Sequence, residues 1–173
     1  MPTEGHSQRV SRLAGQIAMQ MGLSEAETEE IRLAGALHDV GKLGIPDNIL
    51  YKPDRLTPEE FEVMKSHAAW GAKIVEPLKV TAIERIVRHH HERYDGKGYP
   101  DHLKGEEIPL GARIVAVAEC FHNMLSDLRY KSARTCEEAL AELCRCSGTQ
   151  FDPKVVMVFL DSLETQGDPR EQQ

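Results

Sequence analysis

Histidine and aspartate stand side by side at His38-Asp39, with Lys42 three residues on, and no other stretch of this sequence is better equipped for chemistry. Further histidines flank the pair: His6 before it, His67 after it, and the run His89-His90-His91. With 8 His against 4 Phe and 1 Trp, the chain carries more imidazole than packing requires. Neutral imidazoles together with carboxylates suit first-row divalent metals, iron, manganese and zinc among them. An aspartate beside a histidine can bridge two ions while the imidazole holds one. Two ions roughly 3.5–4 Å apart can activate a water and stabilise the leaving oxygen of a phosphodiester. Lys42 could neutralise phosphate charge or protonate the leaving group. Taken singly, His6 or His67 would read as a hydrogen-bonded structural residue and Lys42 as a solvated one. Neighbouring residues on a helix point in different directions, so His89, His90 and His91 cannot all be ligands. It is the set that points to a metal-dependent hydrolase.

These residues need helices to hold them, and the pattern is helical nearly throughout. Val10, Leu13, Ala14, Ile17, Ala18 and Met21 follow one helical face, with Gly22 as its stop and His6 on the same buried side. Ser24 and Glu27 form a capping box that opens a second helix, whose apolar face is Ile31, Ala34 and Leu37 and whose end is His38. Thr57-Pro58-Glu59-Glu60 opens a third, carrying Phe61, Met64, His67, Ala68, Gly71 and Val75, and Pro77 closes it. Ile83, Ile86 and Val87 form a helix that ends on His90 and His91. From Glu92 to Gly111 periodicity gives way to Gly and Pro, and a long irregular stretch inside a compact domain is usually functional. Helix returns over 112–125, apolar on most sides and therefore expected to be central. Thr135 and Asp152-Pro153 open two last helices. No strand and no repeat is evident. The expected architecture is an all-α, compact multi-helix bundle with a Gly/Pro-rich loop at about 92–111, one domain over 1–166, and a frayed polar tail over 167–173.

Composition narrows the function. At 173 residues and a net charge of −7, the chain has no surface suited to a nucleic-acid polymer or an anionic membrane. No apolar run reaches the roughly 20 residues of a membrane span, and the N-terminus has no signal-peptide pattern. Cys120, Cys136, Cys144 and Cys146 show no zinc-binding spacing, and read as reduced thiols of a cytoplasmic protein.

The residues resemble the HD-GYP domain, a bacterial branch of the HD phosphohydrolase superfamily that degrades cyclic di-GMP. The strings that carry the resemblance include Gly5-His6-Ser7-Gln8-Arg9-Val10, His38-Asp39-Val40-Gly41-Lys42-Leu43-Gly44-Ile45-Pro46 and Leu56-Thr57-Pro58-Glu59-Glu60. His67 ahead of Gly71 continues the pattern, followed by His90-His91-Glu92-Arg93-Tyr94-Asp95-Gly96-Lys97-Gly98-Tyr99-Pro100, the 103–114 segment and Gly148-Thr149-Gln150-Phe151-Asp152-Pro153. The resemblance covers almost the whole chain. It implies His6, His38, Asp39, His67, His90 and His91 as metal ligands, with Lys42 and Asp39 as catalytic groups. It also implies two divalent ions, iron or manganese, cyclic di-GMP as substrate, and pGpG or GMP as product. Gly98, Tyr99 and Arg113 are the expected substrate contacts, with Arg129 and Lys131 beside them.

Three departures from the family pattern bear on activity. Glu119 stands where an aspartate ligand is expected, one methylene longer but still able to ligate, and His122 replaces a second aspartate as a supporting group or an extra ligand. Leu128 stands where an arginine would grip phosphate, leaving Arg129 or Lys131 to substitute in part. Pro2 occupies the place of a glutamate that helps hold a third metal, which favours two. Family members commonly carry an upstream sensory or receiver domain, so a fragment is one expectation. Two functional readings follow: a working cyclic di-GMP phosphodiesterase, and a weak or inactive module that binds metal, nucleotide, or a partner such as a diguanylate cyclase or receiver domain.

Overall fold

Capping chemistry sets where the helices begin. In the computed structural model, which describes residues 3–126 and 133–166, three serine or threonine residues each close a reciprocal capping box: Ser24 with Glu27, Thr57 with Glu60 and Thr135 with Glu138. Each accepts an otherwise unpaired N–H of the first turn, and losing such a cap costs about 1 kcal/mol. The helices are α1 (Thr3–Gln20), α2 (Glu25–Leu37), α3 (Asp47–Leu50), α4 (Pro58–Val75), α5 (Thr81–His89), α6 (Leu110–Leu125), α7 (Cys136–Cys146) and α8 (Pro153–Gln166). Short 3-10 turns at Val40–Gly44, Glu76–Leu78 and Gly105–Glu107 join them. Among the described residues there is no strand, only an isolated bridge between Ser147 and Phe151. The all-α expectation holds.

Helix α6 is the hub, packed against α1, α2, α5, α7 and α8. It buries Ile114, Val115, Val117, Ala118 and Phe121, and the Phe121 ring meets Phe159 of α8 edge-on at 4.8 Å. Val10, Ala14, Ile17 and Ala18 supply the facing stripe of α1, all fully buried, as their spacing requires. α4 lies against α5 and against the 3-10 turn at Val40–Gly44. That contact depends on Gly41: a Cβ there would overlap the His67 carbonyl and the Gly71 amide, so the two backbones meet without a side chain between them. It brings the residues after α2 within reach of those on α4.

Two details depart from the sequence reading. α6 begins at Leu110, two residues earlier than the periodicity indicated. Pro109, at φ −51°, leads directly into it, and Gly111 has no side chain to signal the first turn. Phe61 is not on the buried face of α4 but 45% exposed, its ring edge-on to Tyr99 at 6.4 Å.

The 92–111 segment is tied down rather than loose. Tyr94 and Asp95 donate backbone N–H groups to the carbonyls of Gln150 and Thr149 at 3.1 and 2.8 Å, and Gly105 N–H returns to the Tyr94 carbonyl at 3.0 Å. Asp101 accepts a forked pair of bonds from Arg88 at 2.7 and 2.8 Å and a third from His89 at 2.9 Å, while its own N–H donates to Glu92 at 2.6 Å.

Candidate metal centre

Five helices bring one ligand group each to a shared point: His6 from α1, His38 and Asp39 from the end of α2, His67 from α4, His90 and His91 from the end of α5, and Glu119 from α6. The backbone decides how the imidazoles face. Nδ1 of His38 donates to the Gly35 carbonyl at 2.7 Å, His67 to Met64 at 2.6 Å, and His90 to Val87 at 2.7 Å. Each bond is to the carbonyl one helical turn back, which fixes the proton on Nδ1 and leaves a lone pair on Nε2. All three Nε2 atoms are buried and have no hydrogen-bond partner among the described residues, and neither does Asp39 Oδ1. Such a group of orphaned acceptors is costly in a folded interior unless a cation satisfies them.

Asp39 sits between two sets of donors. Its Oδ2 lies 3.5 Å from His38 Nε2, and its Oδ1 lies 3.6 Å from His67 Nε2. Spacings of this size suit groups sharing an ion at about 2.1 Å from each. The ligand atoms of Asp39, His67, His90 and His91 lie within 4.8 Å of one another, as do those of His6, His38 and Asp39. The carboxylate belongs to both groups, with Oδ2 toward His38 and Oδ1 toward His67. Glu119 Oε1 lies 4.0 Å from His38 Nε2, so the longer side chain still reaches the edge of the cluster. With imidazoles and carboxylates and no thiolate, the set fits a first-row divalent metal.

Protonation states agree with ligation. Burial, reinforced by the charges of neighbouring histidines, lowers His6 to about 4 and His91 to about 3, and pushes His67 and His90 downward as well. At neutral pH these rings are neutral and their lone pairs are available. Burial by itself would raise Asp39, but the fields of His38 and Lys42 and the Lys42 hydrogen bond overcome it, holding the carboxyl at about 2. Burial raises Glu119. Lys42 donates to Asp39 Oδ2 at 2.6 Å, so its ammonium stands at the rim of the cluster.

The loop that carries Gly98 and Tyr99 folds back on the histidine segment. Gly98 has no room for a Cβ, which would overlap the backbone of Glu92 and Arg93. Tyr99 stacks its ring on His91, 4.9 Å between centroids and 27° between planes. The peptide bond between Tyr99 and Pro100 is cis. Burial, together with the charges of Glu119 and Asp39, raises the Tyr99 phenol, which stays protonated.

The remaining sequence candidates fall into three groups. His89 turns away to Asp101 and the Arg85 carbonyl, as the helix geometry requires. Arg113, expected at the substrate, is instead spent inside the protein: its guanidinium bonds the buried Asp152 and the Ile108 carbonyl, pinning α6 to the start of α8. Arg129, Lys131, Leu128, Pro2 and the 167–173 tail lie outside the described residues. His122 is buried with its ring 5.0 Å from that of His6, beside the cluster but outside both tight ligand groups. Two polar residues near the site carried no assigned role: Glu92, a buried carboxylate, and Asn123, which approaches Glu119 Oε1 at 3.4 Å. Adjacency to His91 and an i+4 spacing from Glu119 were the available signals.

The comparisons with known proteins agree with this geometry. The sequence pattern of the family described as HD domain matches residues 2–155. A protein of Thermotoga maritima named cyclic di-GMP phosphodiesterase is 47% identical over 163 residues, which is 92% of this chain and 44% of that one. A cyclic di-GMP phosphodiesterase response regulator of Xanthomonas campestris pv. campestris is 47% identical over 161 residues, 91% of this chain and 43% of that one. The solved structure of a cyclic GMP-AMP specific phosphodiesterase of Vibrio cholerae is 26% identical with a TM-score of 0.74, covering 97% of this chain and 46% of that one. The chain therefore spans under half the length of these relatives. With its His38-Asp39 pair, its converging histidines and its Gly98-Tyr99-Pro100 loop, the chain belongs to the HD-domain family and to the HD-GYP branch within it.

Proposed function

We propose that this chain is a metal-dependent phosphodiesterase that hydrolyses cyclic di-GMP to pGpG, GMP or both in bacterial second-messenger signalling. One observation carries the reading: three buried imidazole nitrogens and a carboxylate oxygen, none with a hydrogen-bond partner among the described residues, gathered at a single aspartate with a lysine at its edge. The names of the Thermotoga and Xanthomonas relatives supply the substrate. Two divalent ions, iron or manganese, held by His6, His38, Asp39, His67, His90, His91 and Glu119, would activate water and neutralise phosphate charge. Asp39 spans the two ligand groups and fixes their separation. Lys42, anchored on Asp39, pairs with a phosphate oxygen or gives its proton to the departing ribose oxygen. Tyr99 and Gly98 shape the approach to the site, and Arg129 or Lys131, both outside the described residues, are the cations the sequence offers in place of the arginine that Leu128 replaces. A receiver domain or a diguanylate cyclase is the expected protein partner, the first in keeping with a relative named as a response regulator.

The competing reading, a module that keeps metal without turnover, draws on Leu128 and on the Glu119 and His122 replacements. Elemental analysis of anaerobically purified protein, followed by chromatography of a cyclic di-GMP digest of the same sample, separates the two. About two iron or manganese ions per chain with nucleotide product supports the enzyme. Metal without product supports the binding module, and absence of metal rejects both.

A further inference from the structure

His122 is a buried histidine beside the metal centre that the ligand set above leaves unused. It follows Glu119 by three residues on α6, so the two side chains leave the same face of the helix. Glu119 reaches the cluster, its Oε1 4.0 Å from His38 Nε2, and His122 stands one turn beyond it. A Glu-x-x-His step is how helical bundles that hold two iron or manganese ions draw a carboxylate and an imidazole from one turn. Ring spacing points the same way. His6 has two imidazole neighbours on this side, His38 at 5.5 Å and His122 at 5.0 Å between centroids. Pairs inside the candidate ligand set are spaced alike, His67 with His91 at 5.0 Å and His38 with His90 at 5.2 Å. Imidazoles that share an ion at about 2.1 Å from each nitrogen have centroids roughly 5 Å apart.

The nitrogens of His122 are little engaged. His38, His67 and His90 each bond the carbonyl one turn back, whereas the His122 ring has one long contact among the described residues, Nε2 to Ser126 Oγ at 3.5 Å. Ser126 already gives its proton to the His122 carbonyl at 2.8 Å, so its oxygen can only accept from Nε2–H, which leaves the lone pair on Nδ1. Burial, with the charge of Arg9 behind it, lowers the affinity of the ring for a proton, and a neutral ring is what ligation needs. His6, His38 and Asp39 form a group of three, one short of the four ligands that even a tetrahedral ion takes.

We propose that His122 is a further metal ligand on the His6 side of the centre, and that it biases this ion position away from manganese and toward a metal that prefers imidazole, iron or zinc. Carboxylate oxygen suits manganese, and imidazole nitrogen suits iron and zinc. The replacement of an aspartate by His122 exchanges the first type of group for the second at one edge of the centre. The proposal rests on the metal centre of the phosphodiesterase reading and deepens it, favouring iron over manganese on one side.

The test uses zinc and manganese, neither of which needs protection from air. Nitrogen-15 NMR of zinc-loaded wild-type protein, with each ring assigned through its own backbone, identifies the metal-bound imidazoles. His122 is expected among them, beside His6, His38, His67, His90 and His91. Dialysis of metal-free protein against equal zinc and manganese, read by elemental analysis, gives the preference. The zinc-to-manganese ratio is expected to fall by about 10-fold or more in His122→Asn. His122→Asp, which returns the carboxylate, is expected to take up more manganese than His122→Asn. An unbound His122 ring in the zinc-loaded wild type overturns the proposal, and that measurement does not depend on a variant folding. An unchanged ratio in folded His122→Asn and His122→Asp overturns it too. Bound rings at the other histidines without His122 remove the proposal and keep the metal centre, whereas no bound ring at all removes the phosphodiesterase reading as well. A zinc-bound His122 in a protein that does not turn over cyclic di-GMP keeps the ligand and removes the enzyme.

Discussion

Asp39 shows how much one side chain is asked to do. Its Oδ2 takes the Lys42 ammonium at 2.6 Å and faces His38, while its Oδ1 faces His67 with no hydrogen-bond donor among the described residues. A carboxylate this buried stays ionised because the field of His38 together with the charge and hydrogen bond of Lys42 outweighs burial. Lys42 is therefore expected to matter for chemistry more than for metal content, since the imidazoles make most of the ligand set. Lys42→Met should lower kcat for cyclic di-GMP by about 10²- to 10⁴-fold, the usual range for losing a general acid. Metal per chain, measured by elemental analysis, should stay near the wild-type value. Loss of most of the metal would instead make Lys42 a support of Asp39 and leave the proton donor elsewhere.

At the level of the elements, two close fits hold the ligands in register. The first is the crossing of the Val40–Gly44 turn over α4, which sets His38 and Asp39 against His67. Gly41→Ala would push these apart, because its Cβ meets backbone on both sides and neither side can give way. A cost of about 2–4 kcal/mol is expected, read from the urea midpoint, together with weaker metal retention. The second is the clasp at Asp101, which fastens the Gly98–Pro100 segment to the end of α5 through Arg88, His89 and Glu92. The Arg88 hydrogen bonds, with help from His89, depress Asp101 from 3.8 to about 2. A depressed carboxylate contributes stability above its unfolded pKa and loses it as pH falls through the folded one. Asp101→Asn should thus be less stable than the wild type at neutral pH. The difference should close as the pH falls from 3.8 toward about 2. Equal urea midpoints at pH 7 would show that the clasp contributes nothing. The side chain is 37% exposed, so the effect is expected to be modest.

Across the whole molecule, the candidate ligands arrive from α1, α2, α4, α5 and α6, so a bound metal would cross-link elements otherwise joined by apolar packing. An ion that binds the folded chain and not the unfolded one raises stability as the logarithm of one plus its concentration over its dissociation constant. Chelation should therefore lower the thermal midpoint by several degrees, and manganese should restore it; at 100-fold excess over the dissociation constant the stabilisation is about 2.7 kcal/mol. An unchanged midpoint after complete stripping would mean that the five helices hold the ligands without help from metal. Among the described residues no helix is long and apolar enough to cross a membrane.

Sequence alone determined the all-α class and the helix starts at Ser24, Thr57 and Thr135, and it singled out His6, His38, Asp39, His67, His90 and His91 as candidate ligands, because caps and periodic apolar faces act within a few residues of chain. The tertiary structure decided what depends on distant partners. Arg113 looked like a phosphate contact, yet a buried Asp152 from 39 residues away claims its guanidinium. Phe61 matched the apolar rhythm of α4, yet it faces Tyr99 of the loop. Glu92 was one acidic residue in a matching string until the fold buried it, one oxygen accepting the Asp101 N–H and the other without a partner among the described residues. A side chain's type fixes what it can bond, but burial and long-range approach fix which bond remains to be made.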